Sequence, residues 1–249
     1  MLRTAWYLGT LLSVIAFLLG CREPANPAPS SQSSGFDSAR TITFRQGCPL
    51  GYRYTAIGRR EQMYKNPNGV PMVSTLKIDS ELVKIEADLY TWKRTTTEVV
   101  EQMGSHHWLP GEGPDKNRIR FYTNNSFGNL VSSEGTDPDN SYTSYKSRPE
   151  RPVKVGDTWD GYTLKRGGRF NDSYTLEAIA NINGKEYAVV RCDSEEKGGS
   201  SSSRSWIELS TGVLFKIERN VSDVNEAGEM GKWRLSVNVV DAKSRPILP

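Results

Sequence analysis

The only histidines in the chain, His106 and His107, are adjacent, and Ser105 precedes them. A Ser-His-Asp triad would have to run through one of these two rings. With Glu98, Glu101 or Glu112 the rings could instead supply ligands for zinc or copper. The spacing argues against each. Neighbours in an extended chain point to opposite faces, so two adjacent rings rarely meet one ion. Adjacency of a serine and a histidine in a loop is not triad geometry. There is no Gly-x-Ser-x-Gly elbow and no glycine-rich phosphate loop. Asp137-Pro138-Asp139-Asn140 carries calcium-loop ligand types but lacks the glycine and the closing glutamate. Asp193, Glu195 and Glu196 read as loop charges before Gly198-Gly199, and Ser200 to Ser203 as a flexible hairpin tip. The expectation is a non-catalytic protein without a cofactor or resident metal, His106 and His107 being the sole metal candidates.

The N-terminus carries a more specific pattern. Met1-Leu2-Arg3 is a short positive region, residues 8–17 are mostly apolar, and Leu18-Leu19-Gly20-Cys21 follows. A short apolar core with a small residue before the cut reads as an export signal over residues 1–20. Leu18-Leu19-Gly20-Cys21 resembles the lipobox of bacterial lipoproteins. That resemblance implies a diacylglycerol on the Cys21 thiol, cleavage before it, and attachment to a membrane of the bacterial cell envelope. Two or more acyl chains, at about 0.8 kcal/mol per buried methylene, make a stable anchor. Arg22 stands where an aspartate favours inner-membrane retention in well-studied lipoproteins, which favours the outer membrane. Residues 21–40 hold Pro24, Pro27 and Pro29 and then a Ser/Gly-rich stretch, the composition of a tether. Residues 41–249 are expected to form a single antiparallel β domain.

With Cys21 acylated, Cys48 and Cys192 remain. In an oxidising compartment they are a disulfide candidate, worth up to about 4–5 kcal/mol over so long an enclosed span. The alternative is two separate buried thiols. No histidine is placed beside either, so a catalytic thiol is not expected.

The 249 residues carry a formal charge of +3, from 32 Lys and Arg against 29 Asp and Glu. Charge so balanced, without clustered Lys and Arg, gives no nucleic-acid footprint. After residue 20 no apolar run approaches the ~20 residues that span a bilayer as a helix.

The body of the chain alternates with period two. Trp233, Leu235, Val237 and Val239 share a face opposite Arg234, Ser236 and Asn238, and should lie beside Phe215 and Ile217 of the preceding strand. Tyr174, Leu176, Ala178, Ala180 and Ile182 repeat the pattern. Asn183-Gly184 is a two-residue hairpin signal, and Ser210-Thr211-Gly212 links two further strands. Residues 157–242 therefore read as a meander of about six strands. In the N-terminal half Tyr52–Ala56 and Ile119–Tyr122 alternate, and Asn68-Gly69 suggests another hairpin. Residues 80–103 allow helix or strand; the β-branched run Thr95–Thr97 tips them to strand up to Thr97, with Val83, Ile85, Ala87 and Leu89 on one face. Residues 123–152 read as a long loop between the halves.

Three segments, Pro152–Trp159, Asn183–Val190 and Trp206–Leu214, together look like exported bacterial domains of unknown function that are similar to the LolA/LolB group. The resemblance covers roughly the last hundred residues. It implies a mainly β fold, a curved antiparallel sheet forming an incomplete barrel with few or no helices, and carries no catalytic residue across. On such a sheet Trp92, Trp159, Trp206 and Trp233 could line a concave apolar groove for a lipid or other hydrophobic ligand, or simply fill the core. The leading expectation is a lipid-anchored envelope lipoprotein that binds a hydrophobic ligand or an envelope protein. A purely structural or assembly lipoprotein is second, and a hydrolase or metal enzyme third.

Overall fold

The computed structural model describes residues 40–64, 71–109, 111–135, 143–165, 168–196, 199–224 and 230–243. Side chains within 63–64, 143–145, 164–165, 168, 195–196, 223–224 and 230–233 are not among those described. The signal, the tether up to residue 39, Asn68-Gly69 and Asp137–Asn140 lie outside the described residues.

Every regular element described is a strand. They are β1 (Thr41–Ile42), β2 (Arg53–Tyr64), β3 (Met72–Glu86), β4 (Leu89–Met103), β5 (His106–His107), β6 (Asp115–Asn125), β7 (Leu130–Gly135) and β8 (Thr143–Tyr145). β9 (Val153–Lys154), β10 (Thr158–Lys165), β11 (Gly168–Ile182), β12 (Lys185–Glu196), β13 (Gly199–Glu208), β14 (Leu214–Val224) and β15 (Met230–Lys243) follow. One antiparallel sheet runs in the order β7-β6-β4-β3-β2-β15-β14-β13-β12-β11-β10-β8, with β5 paired to β4. Twelve strands laid flat would hold their outer members about 50 Å apart. Yet Cα atoms of β7 and β8 come within 8 Å. The sheet curls nearly into a ring, without a hydrogen-bonded ladder to close it. The expected open, curved sheet is what forms.

The six-strand meander is β10 to β15. Asn183 and Gly184, with φ of 52° and 79°, make its β11–β12 turn, the left-handed pair that a tight hairpin requires. Val237 faces Ile217 across the ladder and is buried, while Asn238 is exposed. Phe215 departs from the expected register and packs on Tyr187, ring centroids 4.7 Å apart, because the ladder slips between Trp206 and Ile207.

Three expectations need correction. Residues 80–103 are strand to Met103, but the chain reverses at Ala87-Asp88, so Val83 and Leu89 belong to different strands. Residues 123–152 are not a loop throughout; they contain the edge strands β7 and β8 and the short β9 follows. Ser200–Ser203 are paired residues of β13, and Asp193 lies within β12 bound to Arg191 Nε at 2.8 Å. The expectation of few or no helices holds: among the described residues every regular element is a strand.

A strand-like N-terminal segment lines the interior. Ile42, Phe44, Gln46 and Cys48 are buried and alternate with exposed Thr41, Arg45 and Gly47. Thr41 and Ile42 pair with Lys154 and Val153, and the backbone N–H groups of Gln46 and Gly47 donate to Ser126 O (2.7 Å) and Thr211 O (3.0 Å). Gly47 and Gly212 have no room for a Cβ, since each would run into backbone of the other segment. The inner residues fill two cores. Ile42, Phe44, Val153, Tyr174, Leu176, Ala188, Val190 and Ile207 form one; Cys48, Tyr52, Leu82, Trp92 and Val213 form the other.

Two buried carboxylates share this inner face and are paired. Glu98, 3% exposed, accepts from Ser74 Oγ (2.7 Å), Arg60 Nη1 (3.1 Å) and Arg118 Nη2 (3.3 Å). Asp172 accepts from Thr163 Oγ1 (2.7 Å) and Tyr174 Oη (3.1 Å). Buried charge is tolerated where such partners replace water.

Candidate functional site

The structure scatters the residues that the sequence singled out. His106 and His107 are not in a loop but form β5, the return strand of a hairpin on β4. Both are exposed, and the His106 ring lies 4.3 Å from that of Trp108. Glu98 is occupied by its arginines, Glu101 accepts from Arg59 and Thr75, and Glu112 is exposed. Among the described residues no three metal-ligating side chains gather.

Cys48 and Cys192 are free thiols in different cores, which corrects the disulfide. The Cys48 thiol donates to Thr211 O at 3.5 Å. Burial, helped by the charge of Glu208, pushes its pKa up to about 12. Burial and nearby Asp172 raise Cys192 to about 11. Both are protonated at neutral pH, and a thiol without thiolate character is inert.

The three tryptophans of this set whose side chains are described do not share a groove. Trp159 stacks on Tyr174 (5.8 Å, 7°) and packs against Phe44, with Nε1 donating to Ser147 O at 3.2 Å. Trp206 lies under Lys216 Nζ at 4.6 Å. The Trp233 side chain lies outside the described ones. Trp92, 6% exposed, sits edge-on to Tyr52 and Tyr54 and borders a cavity.

That cavity, of about 320 Å³, lies between β4, β6, the Phe127–Leu130 bend and the β13–β14 turn. Tyr54, Trp92 and Tyr122 supply rings, and Leu130, Val213 and Leu214 aliphatic wall. Its polar lining is Gln46, Asn124, Ser147, Arg94 and Arg148, with no carboxylate lining it among the described residues. The volume is within the ~300–1,000 Å³ typical of small-molecule sites.

Each arginine is positioned by a different device. Arg94 is on β4 two residues from Trp92 and therefore on the same inner face. Its Nη2 donates to Tyr54 Oη at 3.3 Å, its guanidinium carbon lies 4.7 Å from the Tyr122 ring centre, and its Nε is buried without an acceptor. Burial works against its charge, but the oxygens of Tyr54 and Tyr122 outweigh it and the pKa is raised. Arg148 follows β8. Asn129, 4% exposed, grips its backbone in both directions, Nδ2 donating to Arg148 O and Oδ1 accepting from Arg148 N, each at 2.8 Å. Asn125 Oδ1 in turn accepts from the N–H groups of Phe127 (3.1 Å) and Asn129 (3.0 Å). This amide clasp also links the loop before β7 to the chain after β8. Gly128, at φ +86°, lies so close that a Cβ there would overlap the Arg148 guanidinium and crowd Gln46 Nε2. Burial lowers Arg148 to about 10, and it remains charged at neutral pH.

Sequence reasoning missed Arg94, Arg148 and Gln46. One signal was present, since Arg94 shares its period-two face with Trp92, a residue already assigned inward. Arg148 and Gln46 offered none, because their places depend on loops and on a segment that crosses the interior.

No protein-family model matches the chain, and no curated protein matches it. Solved structures do show likeness. One is an exported protein with a YmcC-like fold from Bacteroides fragilis, at 10% identity and a TM-score of 0.35, covering 82% of this chain and all of that one. Another is the S-type phycobiliprotein lyase of Guillardia theta, also at 10% identity and a TM-score of 0.35, covering 79% of this chain and 89% of that one. Likeness at this level says nothing of ligand or activity.

Proposed function

We propose that the protein is a non-catalytic binding module of the bacterial cell envelope, anchored by acyl chains on Cys21, that carries a small ligand in the cavity beside Trp92. The cavity carries this reading. A curled sheet whose two cores are well filled still leaves about 320 Å³ walled by Tyr54, Trp92, Tyr122, Leu130, Val213 and Leu214. The anchor rests on the lipobox-like Leu18-Leu19-Gly20-Cys21, and the Pro/Ser-rich tether would hold the sheet clear of the lipid. The outer membrane is the favoured address, on Arg22.

Native mass spectrometry of the full chain extracted from cells should show a co-purified small molecule. Leu130→Trp, which puts an indole into the cavity, should lose it. Finding the bare acylated chain alone in the wild type would sink the ligand reading. Labelled fatty acid should enter the wild type and be absent from Cys21→Ser; equal labelling would sink the anchor.

A further inference from the structure

We infer that the cavity is built for an organic anion, a carboxylate or phosphate ester whose charged group seats on Arg94 and Arg148 and whose flat apolar body lies against Trp92. This rests on the reading of the cavity as a ligand site. The decisive observation is what the two arginines lack. Elsewhere on the inner face Arg60 and Arg118 meet the Glu98 carboxylate. Arg94 and Arg148 face the cavity with no carboxylate, their hydrogen bonds going to the neutral oxygens of Tyr54 and Phe127.

A guanidinium has five donors in a fixed fork suited to two-oxygen anions. Arg94 Nε is buried and has no acceptor within the protein. Taking cations out of water without a counter-charge is costly, and a fold keeps such an arrangement where an anion repays it. Two independent devices maintain the arrangement: the Asn129 clasp on Arg148 and the absence of a side chain at Gly128. Tyr54, Tyr122 and Asn124 add neutral polar groups around the same space. The aromatic wall then selects anions with a ring or short apolar body over inorganic ions.

Titration calorimetry of the full chain with 1-naphthoate, 1-naphthyl phosphate and neutral 1-naphthamide tests this. Removing a charge-assisted bidentate partner should cost about tenfold or more in affinity. At least one anion should therefore bind the wild type about tenfold more tightly than the amide. Whichever of the two anions wins identifies carboxylate or phosphate as the natural group. Arg94→Gln and Arg148→Gln should each abolish that preference while leaving the amide's affinity in place, and Gly128→Ala should weaken the anion by displacing Arg148. Without ligand, Arg148→Gln should melt no lower than wild type, since it loses a cation that burial disfavours. Equal binding of amide and anions overturns the anion assignment and leaves the cavity reading standing. So do anion affinities unchanged in both Gln variants. Failure of all three probes to bind overturns both.

Discussion

Phe44→Ala is expected to lower stability by about 3–5 kcal/mol, the range for deleting a buried aromatic ring. Phe44 is 1% exposed, sits in the larger core and packs its ring 6.1 Å from that of Trp159. It belongs to no strand of the large sheet, so the loss would come wholly from the segment that lines the interior. Thr41→Ala, on an exposed position of that segment, should change stability by no more than about 0.5 kcal/mol. Urea unfolding followed by tryptophan fluorescence separates the two. A Phe44→Ala midpoint equal to wild type would mean that the sheet fills its interior without residues 41–48.

Glu98→Ala carries the second large effect. It removes the carboxylate that Arg60 and Arg118 share on the inner face, where removing one partner of a buried pair typically costs about 3–5 kcal/mol. Their side chains are 30% and 33% exposed, so solvent relieves part of that, and about 2–3 kcal/mol is expected. The pH dependence has a definite sign. Burial works to raise the Glu98 carboxyl pKa, but the Ser74 hydroxyl and the two guanidiniums outweigh it and hold the carboxyl below its ordinary value of 4.5. Its contribution is present above that value and lost as pH falls through the lower, folded one. Thermal melts across the acid range should show wild type losing stability below about pH 4.5, and Glu98→Gln losing less over the same interval. A parallel decline in both would assign the acid sensitivity to other carboxylates.

How much could be read from residues alone depended on where the information sat. The meander of β10 to β15 was legible because side-chain alternation and turn chemistry agreed there, as at Asn183-Gly184. The β3–β4 reversal was not, because Ala87 adopts φ 49° without a glycine to announce it. Alternation also misled at Leu176. The ladder slips between Leu176 and Ala178, so Leu176 is fully buried while Ala178 and Ala180 are only partly so. The site was hidden for a different reason. On β4, Trp92, Arg94, Thr96 and Glu98 share one face and Lys93, Thr95 and Thr97 the other. Both faces carry charge, and nothing local says that the arginine goes inward. Gln46 and Arg148 reach the cavity only through contacts with chain far away in sequence.

The order of strands has a kinetic consequence. From β2 to β7, and from β8 to β15, neighbours in the sheet are near neighbours in the chain. The β2–β15 ladder is different, pairing Arg53 with Lys243. Hairpins close in about 1–10 μs, so each half can assemble locally as it is synthesised. The ladder between the halves must wait for the last strand, and until then β2 presents an open edge, a template for pairing with another chain. The buried arginines stay hydrated in that interval. Slow, non-local zipping of β15 onto β2 is the step at which this chain is won for the native state or lost to aggregation.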